Sequence, residues 1–139
     1  MLSPVIQKGR QAPRWLALAL VIGGIVLVPW TVYLLLTLPK TYTGTHYRGA
    51  WTGFDIVLLT ALIITGLAAF RGSTLLAVAA AATGTLLFVD AWFDVTGSGN
   101  RQDARVALVM ALCAEIPSGI VCWILAVRAA QVQSGPDPG

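Results

Sequence analysis

Charge is scarce in this chain: Asp, Glu, Lys and Arg make up 11% of its 139 residues, against 57% hydrophobic residues, and the mean hydropathy is +0.79. A soluble domain of this size has to show water more polar surface than that, so most of the sequence must face lipid or other helices. Histidine is nearly absent, with His46 alone, and there is no HExxH, Gly-rich phosphate loop or Ser/His/Asp set. An enzyme is therefore the least supported class, and the chain is read as non-catalytic. The two cysteines, Cys113 and Cys122, belong to no CxxC. On one helix their spacing turns them to opposite sides, which excludes a disulfide between them and leaves two small apolar side chains in a packed helix. The formal charge is only +3, and the basic residues stand at the ends of apolar runs rather than in a patch. Nucleic acid is not an expected partner. The longest polar stretch, 39–50, is too short for a separate soluble domain.

What the chain has instead is four apolar runs. A hydrocarbon core of roughly 30 Å is crossed by about 20 apolar residues in a helix, and each run is of that length. Spans are expected over about 15–38, 51–70, 73–94 and 103–127, with a polar arm at 1–14 and a flexible Gly/Pro-rich tail at 129–139. The implied fold class is an all-α integral membrane protein with four transmembrane helices in an antiparallel bundle. The first run follows Lys8, Arg10 and Arg14, as in a signal peptide, but it is longer than the roughly 7–15 residues of a cleaved apolar core, so it reads as a retained span. Pro29 should kink it by freeing the Ile25 carbonyl. Only Arg71-Gly72 separates the second and third runs, which makes them antiparallel neighbours.

With the N-terminus inside, Lys8, Arg10, Arg14, Arg71 and Arg128 are cytoplasmic, and Lys40, Arg48, Arg101 and Arg105 are outside. That bias, concentrated before the first span, places both termini in the cytoplasm, with the chain in the plasma membrane. Trp15, Trp51, Trp92 and Trp123 fall near span ends and read as interfacial anchors.

Four carboxylates lie in or at the ends of these spans: Asp55, Asp90, Asp94 and Glu115. An ionisable group in hydrocarbon costs a few kcal/mol or more, so each is a candidate for function or for a protein contact. Asp55 near the start of the second span and Asp90 and Asp94 near the end of the third should converge in the outer part of the membrane. Asp90 and Asp94 share a helix stripe with Thr83. Arg48, Arg101 and Arg105 flank the same face, and two readings stay open: interlocking ion pairs, or an uptake site where Asp90 and Asp94 share a proton or a cation. Glu115 lies roughly 15 Å along the fourth helix from Arg105, at mid-membrane. Its stripe holds Ala104, Leu108, Ala111, Ser118, Gly119 and Cys122, which would admit a close neighbour, and Pro117 should distort the helix beside it. A carboxylate, a helix break and small residues together make an ion or proton site between helices, or a tight contact around a buried Glu. His46, in the first outer loop with Tyr42 and Tyr47, is a weak candidate for a metal site with Asp90 and Asp94. No cofactor is called for.

The segments LPKTYTGTHYRGAWTGFD (38–55), DAWFDVTGS (90–98) and AEIPSG (114–119) resemble those of small four-helix membrane proteins of actinobacteria. The resemblance covers the last three spans and the first outer loop. It implies the four-helix fold and assigns no activity and no site residue. The expected role is a small membrane protein working as a homo-oligomer or as a subunit of a membrane assembly, in contact with the bilayer and with a small cation or proton at its carboxylates. The alternative is an ion channel or a proton- or cation-coupled transporter using Glu115 and the three aspartates. A metal-dependent membrane enzyme is the remote third.

Overall fold

The structure is a computed structural model and describes residues 12–37, 47–97 and 101–134, apart from the side chains of Leu34, Leu35, Thr37, Tyr47, Arg48 and Asp103. It is all helical, with no strand among the described residues. Helices α1 (Arg14–Thr37), α2 (Tyr47–Arg71) and α3 (Leu76–Gly97) are followed by a fourth rod made of α4 (Arg101–Met110), a π-helical turn (Ala111–Glu115) and α5 (Ile116–Gln133). All four rods contain a stretch long and apolar enough to cross a membrane. Their outward surface is aliphatic: Leu18, Ile22, Ile25 and Val26 on α1, Val78 on α3 and Val127 on α5 are all exposed. Rods this apolar around their circumference suit a lipid surround rather than water.

The tightest connection is the one the sequence marks with Arg71-Gly72. Gly72 has φ 63°, a conformation that costs a residue with a Cβ but not glycine. It closes α2 with two bonds, Gly72 N–H to the Ala69 carbonyl at 3.4 Å and Ser73 N–H to the Ala68 carbonyl at 2.9 Å, the paired pattern of a Schellman cap. The Ser73 hydroxyl then accepts from the Leu75 N–H at 3.2 Å and starts α3. This end of the protein, which also holds Arg14 and Gln133, is the turn end. The opposite end, where α1 and α3 finish and α2 and α4 begin, is the loop end.

Small residues set the helix contacts. A methyl group on Gly66 would meet Val21 and stand 2.9 Å from the Ala17 carbonyl, and one on Gly24 would stand 3.1 Å from Ile63 and 3.4 Å from the Leu59 carbonyl. These contacts run in opposite directions along the two helices, so α1 and α2 are antiparallel. Arg14 completes the pair at the turn end, with its guanidinium 5.6 Å above the Phe70 ring. Between α3 and α5 the close approach is at Gly84 and Gly119, and Gln133 Nε2 donates to the Thr74 carbonyl at 2.7 Å. Helix α2 meets α3 through a hydroxyl pair, Thr65 and Thr83, 2.8 Å apart and fully buried. Towards the turn end the interior is Ala68, Ala69, Leu76, Ala80, Leu125 and Ala126.

Among the described residues the helix backbones approach closely only between chain neighbours, α1 with α2, α2 with α3, and α3 with the fourth rod. The antiparallel arrangement is thus open between α1 and the fourth rod. Helix α1 continues through Pro29 to Thr37. Two local expectations are corrected. The fourth rod does not end at 127 but continues to Gln133, because Arg128, Gln131 and Gln133 extend it as exposed polar turns that hydropathy does not register. Trp123 is no span-end anchor either: it lies against Gly84 and meets the Phe88 ring edge-on at 6.2 Å, in the middle of the α3–α5 crossing.

Candidate functional site

Two ties fix α2 against α3; Asp55 and Asp90 lie along the length between them, and Asp94 just past the outer one. One is the Thr65–Thr83 hydroxyl pair. The other, at the loop end, is the Trp51 ring set edge-on to Phe93 at 5.9 Å. With 1.5 Å of rise per residue, depth can be counted from the first tie. Asp55 lies roughly 15 Å and Asp94 roughly 16 Å towards the loop end, while Asp90 lies roughly 10 Å that way. The Gly84–Gly119 approach carries the same scale onto the fourth rod, where Glu115, one turn before Gly119, falls within roughly 3 Å of the level of Asp90. The four acids therefore form two tiers, Asp55 with Asp94 nearer the loop end and Asp90 with Glu115 deeper. Asp90 is within electrostatic range of Asp94, Glu115 and Asp55; Asp94 is within range of Asp55, and Glu115 within range of Asp94.

Burial is deep for so polar a group of side chains: Asp55 is 4% exposed, and Asp90 and Glu115 are 7% exposed. Asp94 is half-buried. The Asp55 carboxylate meets the Thr31 hydroxyl of α1, yet Thr31 Oγ1 also donates to the Leu27 carbonyl at 2.9 Å. A hydroxyl has one proton, so it cannot donate fully to both acceptors. Two carboxyl oxygens, Asp55 Oδ2 and Glu115 Oε2, are buried with no hydrogen-bond partner. Buried polar atoms without partners are rare and call for a reason, such as an unseen ion, water or proton.

The local fold around Glu115 explains its direction. Pro117 has no N–H to offer the Cys113 carbonyl, and just before it the helix widens into the π turn, where the Ile116 N–H reaches back to the Ala111 carbonyl. A π turn holds one residue more than an α turn and is common at functional sites. Here it shifts the buried face. Ala111, Glu115, Gly119 and Cys122 face inward, but above the turn the half-buried positions are Ala107 and Ala104, and Leu108, expected on this stripe, is exposed. Cys113 is exposed and Cys122 buried.

The remaining candidates separate. Thr83 closes the floor of the cluster with Thr65, and Ser118 is half-buried. Arg101 and Arg105 are exposed, and neither makes an ion pair among the described residues. His46 lies outside the described residues, as does the side chain of Arg48. Among the described residues no three His, Cys, Asp or Glu side chains are placed to hold a metal ion. The depth estimate that set Glu115 apart from the aspartates is corrected: it stands level with Asp90. Thr31 and Thr65 were not singled out from the sequence; the signal for each is a lone hydroxyl inside an aliphatic run, which in hydrocarbon also needs a partner. Comparison with known proteins finds nothing similar: no family model, curated protein or solved structure matches the chain.

Proposed function

We propose that the chain is a small non-catalytic integral membrane protein of the bacterial plasma membrane, with both termini cytoplasmic. It acts as a homo-oligomer or as a subunit of a membrane assembly, and Asp55, Asp90, Asp94 and Glu115 form a cation or proton site within it. The observation that carries this reading is the convergence of four carboxylates from three rods, two of them with a buried, unpartnered oxygen. Helix packing needs none of them. An apolar residue at any of these positions would avoid both the desolvation of a carboxyl group and the repulsion between like charges. Their presence together is accounted for by a ligand they hold. The basic residues Arg14, Arg71 and Arg128 near the turn end support a cytoplasmic face there.

The test is ligand binding by the purified full-length protein in lipid nanodiscs. Uptake of protons or of a small cation per chain, reduced in Asp90→Asn and in Glu115→Gln, is the expected result. Four ionised carboxylates with no bound ion would refute the reading, and so would a chain that stays soluble and folded without lipid or detergent.

A second reading, flux through a channel or coupled transporter, is favoured by one observation, the π turn beside Glu115 and Pro117. Such turns are frequent at functional sites, and this one ends on the carboxylate-bearing residue itself. Against a continuous path through one chain stands the packed, aliphatic interior below Thr65 and Thr83. In reconstituted vesicles, proton or cation flux abolished by Glu115→Gln would favour this reading over a static site.

A further inference from the structure

We infer that the ligand of the carboxylate cluster is the proton and not a metal cation, and that Asp55 and Glu115, one in each tier, are its principal holders. The inference rests on the reading of the cluster as an ion site and names what that site takes. Three observations favour the proton. A calcium ion takes about six to eight oxygen ligands and magnesium about six in near-octahedral order. Among the described residues the acids are not gathered closely enough for even three side chains to share an ion. They are instead spread over two levels roughly 6 Å apart, a spacing suited to separate acceptors.

The unpartnered atoms are single carboxyl oxygens on different helices, Asp55 Oδ2 and Glu115 Oε2. A proton needs only one oxygen. Adding it turns a buried anion into a neutral acid, which is far less costly to keep out of water, and it removes repulsion from the neighbouring acids. The third observation is the surroundings. The groups facing Asp55 and Glu115 from the packed elements are Asp90 and Asp94 of α3 and, beside Asp55, the Thr31 hydroxyl of α1. The nearest basic residues of the fourth rod, Arg101 and Arg105, are exposed and make no ion pair among the described residues. The described side chains thus bring several acids together with no counter-ion of the protein's own on the deeper tier. The loop-end position of the half-buried Asp94 gives protons a way in, and the Thr65–Thr83 pair closes the other side.

Infrared spectroscopy of the full-length protein in lipid nanodiscs tests this through the C=O stretch of protonated carboxyl groups, combined with calorimetric titration of Na⁺, K⁺, Mg²⁺ and Ca²⁺. In the parent protein the protonated-carboxyl band is expected at neutral pH and lost on alkalinisation, with none of the four cations binding or displacing it. Asp55→Asn and Glu115→Gln should each remove part of the band. No band at neutral pH, together with a cation that binds the parent, would overturn the inference while leaving the ion-site reading in place. No band and no cation binding would overturn both. A band unchanged in both variants would move the proton to other groups and also overturn the assignment. Because the parent alone decides between proton and metal, a variant that fails to fold does not blunt the test.

Discussion

Gly84 and Gly119 face each other where α3 crosses α5, so closely that a methyl group on Gly84 would stand 2.9 Å from the Gly119 carbonyl oxygen, and one on Gly119 would stand 3.3 Å from that of Gly84. This contact does more than bring two helices together. It fixes the register of the fourth rod against α3, and so decides that Glu115 stands beside Asp90 rather than a turn or more above or below it.

The two glycines should not respond alike to substitution. A Cβ on Gly84 meets a backbone carbonyl and the Trp123 ring, whereas one on Gly119 meets first the Phe88 ring edge at 3.1 Å, which a small ring shift relieves. Gly84→Ala is expected to destabilise by about 1–3 kcal/mol, the range for overpacking a core, and Gly119→Ala by about 1 kcal/mol or less. Unfolding in detergent followed by circular dichroism measures both. Equal costs would mean that the crossing is looser than the distances say. Asp90 and Glu115 should also be coupled more weakly in Gly84→Ala than in the parent.

The Thr65–Thr83 pair makes a second energetic prediction. Replacing one threonine by the isosteric valine leaves the other hydroxyl without its cross-helix partner, though it can turn back to its own helix as Thr60 does to the Ile56 carbonyl at 2.7 Å. Each single Thr→Val change should cost on the order of 1 kcal/mol, and the double change should cost less than the sum. The coupling energy is expected near the value of about 0.6 kcal/mol typical of hydroxyl bonds between membrane helices. Additive costs would show that the two hydroxyls do not support each other.

Much of this fold is legible in the composition of the runs. Four lengths of about 20 apolar residues specify four rods, and Arg71-Gly72 specifies the tight turn, because only glycine takes its φ without strain. Asp90, Asp94 and Thr83 share a stripe by simple helical spacing. The register between helices is not legible in the same way. It depends on which small residues meet, and Gly84, Gly119, Gly66 and Gly24 are equal candidates until the chain is folded. Counting depth from the end of the fourth span therefore set Glu115 apart from the aspartates, when the crossing at Gly119 brings it level with them. The π turn is hidden too: Pro117 announces a disturbed ladder but not an inserted residue, and it is the inserted residue that turns Leu108 outward and Ala107 inward.

Gly72 offers a check on the turn that is independent of the acids. With φ 63°, a residue with a Cβ pays roughly 1–2 kcal/mol there. Gly72→Ala should destabilise by about that much, and Gly72→Asn by less, since asparagine visits this conformation more readily. Thermal unfolding of the two variants in the same detergent compares them directly. A neutral Gly72→Ala would show that the Schellman cap does not hold in the membrane-mimetic state.

The last prediction concerns access. The half-buried Asp94 and the buried Asp90 and Glu115 lie on the loop-end side of the Thr65–Thr83 pair, and aliphatic side chains fill the turn-end side. Single cysteines placed in a Cys113→Ala/Cys122→Ala background report how far water reaches. Asp94→Cys should react with a membrane-impermeant maleimide applied to the face that carries the loop end, and Asp90→Cys should react more slowly from that same face. Thr65→Cys should react from neither face until the protein is unfolded. In intact cells the reactive face should be the external one, if both termini are cytoplasmic. Labelling of Asp94→Cys only after the membrane is permeabilised would reverse the orientation and leave the cluster intact. Rapid labelling of Thr65→Cys would instead mean that water passes the hydroxyl pair. The one-sided site would then give way to a continuous polar path, and the flux reading would become the better account of the four carboxylates.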